Sequence, residues 1–158
     1  MRVFAGLLLW SVFSAEVLAD SLADSLAEAP VPAAAPPAAL SATHPILGIW
    51  RLAVPETSCL ETYRFRADGT TLVTSAAERT ESAFTIPNDA DADGLYRLED
   101  RVTKDNGQPD CSGNVMQPGA SATRFIRFHP SGKMFLMCAE AAMDACIGPF
   151  QRVRGEEI

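Results

Sequence analysis

The sequence predicts an all-β domain in which eight antiparallel strands close into an up-and-down barrel, with a two-sheet β-sandwich as the alternative. Three observations carry this. Beyond residue 45, apolar residues recur at every second position, the spacing of half-buried strands. Turn-forming Gly, Pro, Asn and Asp residues interrupt the pattern at short intervals, so neighbouring strands should pair antiparallel. No window sustains a 3.6-residue period between helix caps. Eight strands joined in this way can close on themselves and remove their exposed edges.

The first strand is expected around Trp50, from Ile46 to Ala53. The second, Cys59 to Arg66, alternates cleanly. Cys59, Glu61, Tyr63 and Phe65 share one face, opposite Leu60, Thr62, Arg64 and Arg66. Asp68-Gly69 is a hairpin signal, and Thr70 to Ser75 returns from it. Ser82 to Ile86 forms the fourth strand, and an Asp-rich loop follows. Leu95 to Thr103 sets Tyr96, Leu98 and Val102 against Arg97, Glu99 and Arg101. A turn-rich segment from Asn106 to Ala120 leads to the sixth strand, Thr123 to Phe128. His129-Pro130-Ser131-Gly132 makes a four-residue loop before Lys133 to Cys138. Ala139 to Ala145 is open to a helical turn, and Ile147 to Arg154 is the last strand. Phe65, Phe84, Ile126, Phe128 and Leu136 are the side chains expected to fill the interior.

Residues 1–19 have the pattern of a cleaved export signal. Arg2 opens it, an apolar run from Val3 to Phe13 follows, and Val17-Leu18-Ala19 provides the cleavage site. The run is too short for a hydrocarbon core that needs roughly twenty residues. Export to the periplasm or the exterior is expected, with the mature chain starting at Asp20. Residues 20–42 read as an Ala/Pro-rich spacer, with Pro30, Pro32, Pro36 and Pro37 withholding helix donors. The barrel domain is assigned to residues 43–158. Removing Arg2 and Glu16 leaves the net charge of −7 unchanged. That charge argues against nucleic acid, whose binding needs Lys and Arg on phosphates, and no membrane span is expected. A monomer is expected.

Gly48-Ile49-Trp50 resembles the Gly-x-Trp motif on the first strand of lipocalins and related calycin barrels. The resemblance implies that Trp50 closes one end of the barrel beneath a cation from the last strand, here Arg152 or Arg154. The domain is shorter than a typical lipocalin, and the Thr-Asp-Tyr motif of typical members is missing. The chain also resembles secreted proteins of this shape in Gram-negative bacteria, which implies a periplasmic address and no particular activity.

Four cysteines allow three pairings. Cys138 ends one strand and Cys146 precedes the next, so a bridge there would staple the last hairpin. Cys59 and Cys111 are then left for each other. No Cys-x-x-Cys spacing supports zinc or redox chemistry, and structural disulfides are favoured.

Asp89, Asp91, Asp93 and Gly94 match the first half of a calcium loop, whose twelfth position falls on Asp100. The flanks read as strands rather than helices, which favours a solvated acidic turn. Glu61 shares the face of Cys59, Tyr63 and Phe65; if that face points inward, a carboxylate sits inside the barrel or at its mouth, and a structural ion pair or rim position is the favoured reading. Arg51, Arg97, Arg124 and Arg127 are its potential partners. His44 and His129 have no triad companions at a telling spacing, and Cys111 between Pro109 and Gly113 reads as a bridged turn rather than a nucleophile. No cofactor or resident metal is expected. The first functional reading is a non-enzymatic exported barrel that binds a small, partly apolar molecule. The second is a protein-interaction module such as a secreted-protease inhibitor, with residues 20–42 as its arm.

Overall fold

The structure, a computed structural model, describes residues 39–154. The export signal and residues 20–38 of the expected spacer lie outside the described residues. Eight strands follow in order: β1 (Gly48–Ala53), β2 (Leu60–Phe65), β3 (Thr70–Ser75), β4 (Glu78–Thr85), β5 (Tyr96–Asp105), β6 (Ser121–Phe128), β7 (Met134–Cys138) and β8 (Cys146–Arg152). Each pairs antiparallel with the next, and β8 returns to β1 through Trp50↔Arg152 and Arg51↔Gln151. The result is a closed up-and-down barrel rather than a sandwich, consistent with a lipocalin-like fold.

The connections give the barrel two distinct ends. The segment before β1, the β2–β3, β4–β5 and β6–β7 connections and the end of β8 gather at one, the tryptophan end. The β1–β2, β3–β4, β5–β6 and β7–β8 connections gather at the other, the disulfide end. Asp68 shapes the β2–β3 turn by accepting from the backbone N–H and the hydroxyl of Thr70. At β3–β4 only Ala76 and Ala77 intervene, with Ala76 at φ 52°. Residues 139–145 form turns and bends instead of a helical turn. They are closed by the Ala139 N–H on the Ala145 carbonyl and by the Cys138–Cys146 bridge.

Trp50, Leu52, Phe65, Phe84, Leu98, Ile126, Phe135, Met137 and Phe150 make one core. Its rings interlock. Phe135 stacks on Phe150 at 4.5 Å and meets the edge of Trp50 at 4.6 Å, while Tyr63 reaches Phe150 at 5.1 Å. Phe65, Phe84, Ile126 and Phe128 fill the interior as expected, but Leu136 does not. It is 36% exposed on the outer wall, and Phe135 and Met137 point inward on either side of it. Strand period is two, so a register read one residue off exchanges the faces.

Arg51, Arg79, Glu81, Arg97, Glu99 and Arg127 are exposed on the outer face. A barrel that crosses a membrane has the reverse polarity, with an apolar band outside. Among the described residues no helix is long and apolar enough to cross one.

Candidate functional site

At the tryptophan end the geometry is that of a plug. Arg152 lies over the Trp50 ring, 4.1 Å from its centroid. Its guanidinium donates to the carbonyls of Leu47 (2.7 Å), Pro45 (2.5 Å) and Gly132 (3.2 Å). The last strand therefore supplies Arg152 to the indole, and Arg154 is exposed. Gly48 is required beside it. Its φ is 118°, and an added Cβ would stand 2.9 Å from an Arg152 nitrogen. The Trp50 indole N–H donates to the Ile46 carbonyl at 2.7 Å.

His44 belongs to the same plug and is buried. Nδ1 accepts the Ile46 N–H, which leaves Nε2–H to donate to the Pro87 carbonyl. Burial holds its pKa below the usual imidazole value. Within residues 39–42, Leu40 packs on the core and the Ser41 N–H donates to Asn88. These contacts close the end.

Asp89, Asp91 and Asp93 are exposed in the β4–β5 connection. Asp91 accepts the N–H groups of Asp93 and Leu95, the pattern of a self-capped turn. Asp100 is on the inner face of β5, so it does not complete a loop with them. Among the described residues no three His, Cys, Asp or Glu side chains are grouped to hold a metal ion. His129 and Ser131 meet at 2.9 Å in the exposed β6–β7 turn. There Nδ1 also accepts the Ser131 N–H, and the pair braces the turn.

The disulfide end is built differently. Residues 106–120 leave β5 and return beside Val102, whose N–H donates to Ala120. This strap is fastened across the end by Cys59–Cys111 and by the Cys111 N–H on Ser75 Oγ at 2.9 Å. Both disulfides join the favoured pairs. Beneath the strap lies a cavity of about 160 Å³. Glu61, Glu78, Asp100 and Asp110 line it, with Tyr63, Thr80 and Ser82 hydroxyls and with Val73, Val102 and Met116. Four carboxyl groups and no basic side chain face this space.

Glu61 does point inward and is only 9% exposed. Its partners are hydroxyls rather than arginine: Tyr63 donates at 2.6 Å and Ser75 at 2.7 Å. Arg97 pairs instead with Glu99, Arg124 donates to the Thr123 carbonyl and Arg127 to the Asp93 carbonyl. Burial, and then the Glu61 charge, pushes the Tyr63 hydroxyl far above its usual range, so it remains a donor. Asp110 is occupied by the N–H groups of Ser112 and Asn114.

Glu78 is the residue that sequence reasoning missed. It is 4% exposed, and its Oε1 has no hydrogen-bond partner. Thr71 Oγ1 is the other buried side-chain polar atom without one among the described residues. An unpartnered neutral hydroxyl is a smaller cost than an unpartnered carboxylate oxygen. Burial raises the pKa of Glu78, a hydrogen bond with Thr80 opposes this, and the charges of Asp105, Asp110 and Glu61 raise it further. Burial raises that of Asp100 too, against a hydrogen bond from Ser82 and the Arg124 charge.

Larger depressions lie outside the barrel. One of about 470 Å³ crosses β4, β5 and β6 beside Thr85, Glu99, Arg101 and Thr123. Another of about 400 Å³, largely apolar, lies beside Leu136 and Pro149. Neither holds a buried polar group without a partner, and the interior cavity is the better candidate. No protein-family model, no curated protein and no solved structure matches the chain.

Proposed function

We propose that the protein is an exported, non-enzymatic barrel that holds a small, partly apolar molecule at its disulfide end. The observation that carries this is the cavity under the strap, where Val73, Val102 and Met116 face the same space as Glu61 and Glu78. Apolar side chains beside convergent polar groups are what a ligand site needs. Its size limits the occupant. Ligand pockets commonly enclose about 300–1,000 Å³, and aromatic side chains already fill the tryptophan end, so a lipid-sized ligand does not fit. Two disulfides are consistent with an extracellular or periplasmic protein. The signal-like residues 1–19 support the same address.

Native mass spectrometry tests this on protein exported by a Gram-negative host with its own residues 1–19. The expected result is a chain beginning at Asp20, carrying a small molecule that denaturation releases. A protein companion in fixed stoichiometry, with no small molecule, would overturn the reading in favour of an interaction module.

A further inference from the structure

Resting on the small-molecule reading above, we propose that the cavity takes a small organic cation: an ammonium group on a short carbon chain, with Glu78 as its charge partner. Glu78 carries an acceptor atom that is buried and unpartnered, and it lines the cavity. Buried carboxylates are rarely left without a donor. No basic side chain is on the lining itself, where Glu61 and Asp110 add negative charge to that of Glu78; Arg124 acts on Asp100 beside it. An anion is repelled by this wall, and a neutral molecule can donate to Glu78 but leaves its charge unpaired.

The carboxylates surround the space without converging as metal ligands. An ammonium ion suits that spacing because its three donors can reach separate acceptors. Glu61 is already fixed by Tyr63 and Ser75, and a carboxylate can accept further hydrogen bonds on the same oxygens. Val73, Val102 and Met116 provide the surface for carbon. At roughly 30 Å³ for each water-sized group, the cavity accommodates about five. That is the size of n-butylammonium.

The experiment titrates n-butylammonium, n-butanol and n-butyrate into the exported, oxidised chain at pH 7, with calorimetry and backbone amide NMR as readouts. The ammonium ion should bind at least tenfold tighter than the alcohol, shift the amides of Ser75, Glu78 and Cys111, and leave butyrate without effect. Glu78→Gln should weaken it about ten- to hundredfold, the range for a lost charge-assisted hydrogen bond. Should that variant not fold, the wild-type protein still decides. Its affinity for the ammonium ion must fall on acidification, because burial holds the Glu78 carboxyl above its usual range, against a hydrogen bond with Thr80 of its own strand and beside Glu61 of β2, Asp105 and Asp100 of β5, Arg124 of β6 and Asp110 of the strap, and Glu78 loses its charge as pH drops through that value. Butanol binding as tightly as the ammonium ion overturns the cation and leaves the small-molecule reading standing. So does unchanged affinity in Glu78→Gln, or a pH-independent one. Cavity amides that respond to none of the three probes also overturn the cation, and co-purification then decides the broader reading by itself.

Discussion

Arg152 serves three backbone carbonyls and one indole face at once, which makes it the most heavily committed side chain at the tryptophan end. Replacing it with methionine keeps most of the stem and removes every donor. Arg152→Met should cost about 2 kcal/mol, from a part-buried cation–π contact and part-buried carbonyls left without donors. Arg152→Lys should recover only part of this, because one ammonium cannot reproduce the planar fork. Urea denaturation of the two variants checks both values, and a loss below about 1 kcal/mol for methionine would show the contacts to be ornamental. This residue was legible from the chain: a Gly-x-Trp near the start and an arginine near the end already imply the pair. Glu78 was not legible. A glutamate after two alanines carries no mark of burial, since charged residues are almost always outside.

Strand β4 shows why that site stayed hidden. Its inward residues, Glu78, Thr80, Ser82 and Phe84, alternate with exposed ones, but only the last is apolar. Hydrophobic periodicity therefore finds the strand only from Ser82 onward. The turn before it is Ala76-Ala77, without the Gly, Asn or Asp that usually marks a tight hairpin. The polar half of the strand and its turn were thus both invisible, and they lie where the cavity forms. The cysteines were easier, because a hairpin-stapling pair leaves a single remaining choice. Their removal should separate the two crosslinks. Replacing Cys59 and Cys111 with serine should cost up to about 4 kcal/mol, against about 2.5 kcal/mol for Cys138 and Cys146, since the first closes a loop of 52 residues and the second one of 8. Guanidinium denaturation measures the cost. Amide exchange should rise across residues 106–120 in the first variant only, and a rise in both would mean that the strap is not held by Cys59.

For the molecule as a whole, the closed barrel was readable because alternation, short turns and the missing helical period agree with one another. The division of its interior into an aromatic end and an acidic end was not, because it depends on which residues share a depth along the barrel axis. That division gives stability two opposed pH dependences. His44 has a folded pKa below its ordinary 6.5, so the unfolded chain takes up its proton first and stability falls as pH drops below that value. Glu78 has a folded pKa above its ordinary 4.5, so the folded chain keeps its proton longer. Its contribution is complete below pH 4.5 and is lost as pH rises through the folded value. Glu78→Gln should therefore melt higher than wild type at pH 7, by roughly 4 °C, and level with it at pH 3.5. Thermal melts at the two pH values check this; an equal gain at both would separate the effect from ionisation. The strap adds an order of events. Its covalent fastening through Cys59, just before β2, exists only once both thiols have been oxidised; until then the strap is held by hydrogen bonds such as the Cys111 N–H on Ser75 and the Val102 N–H on Ala120, so the walls can close before the roof is locked.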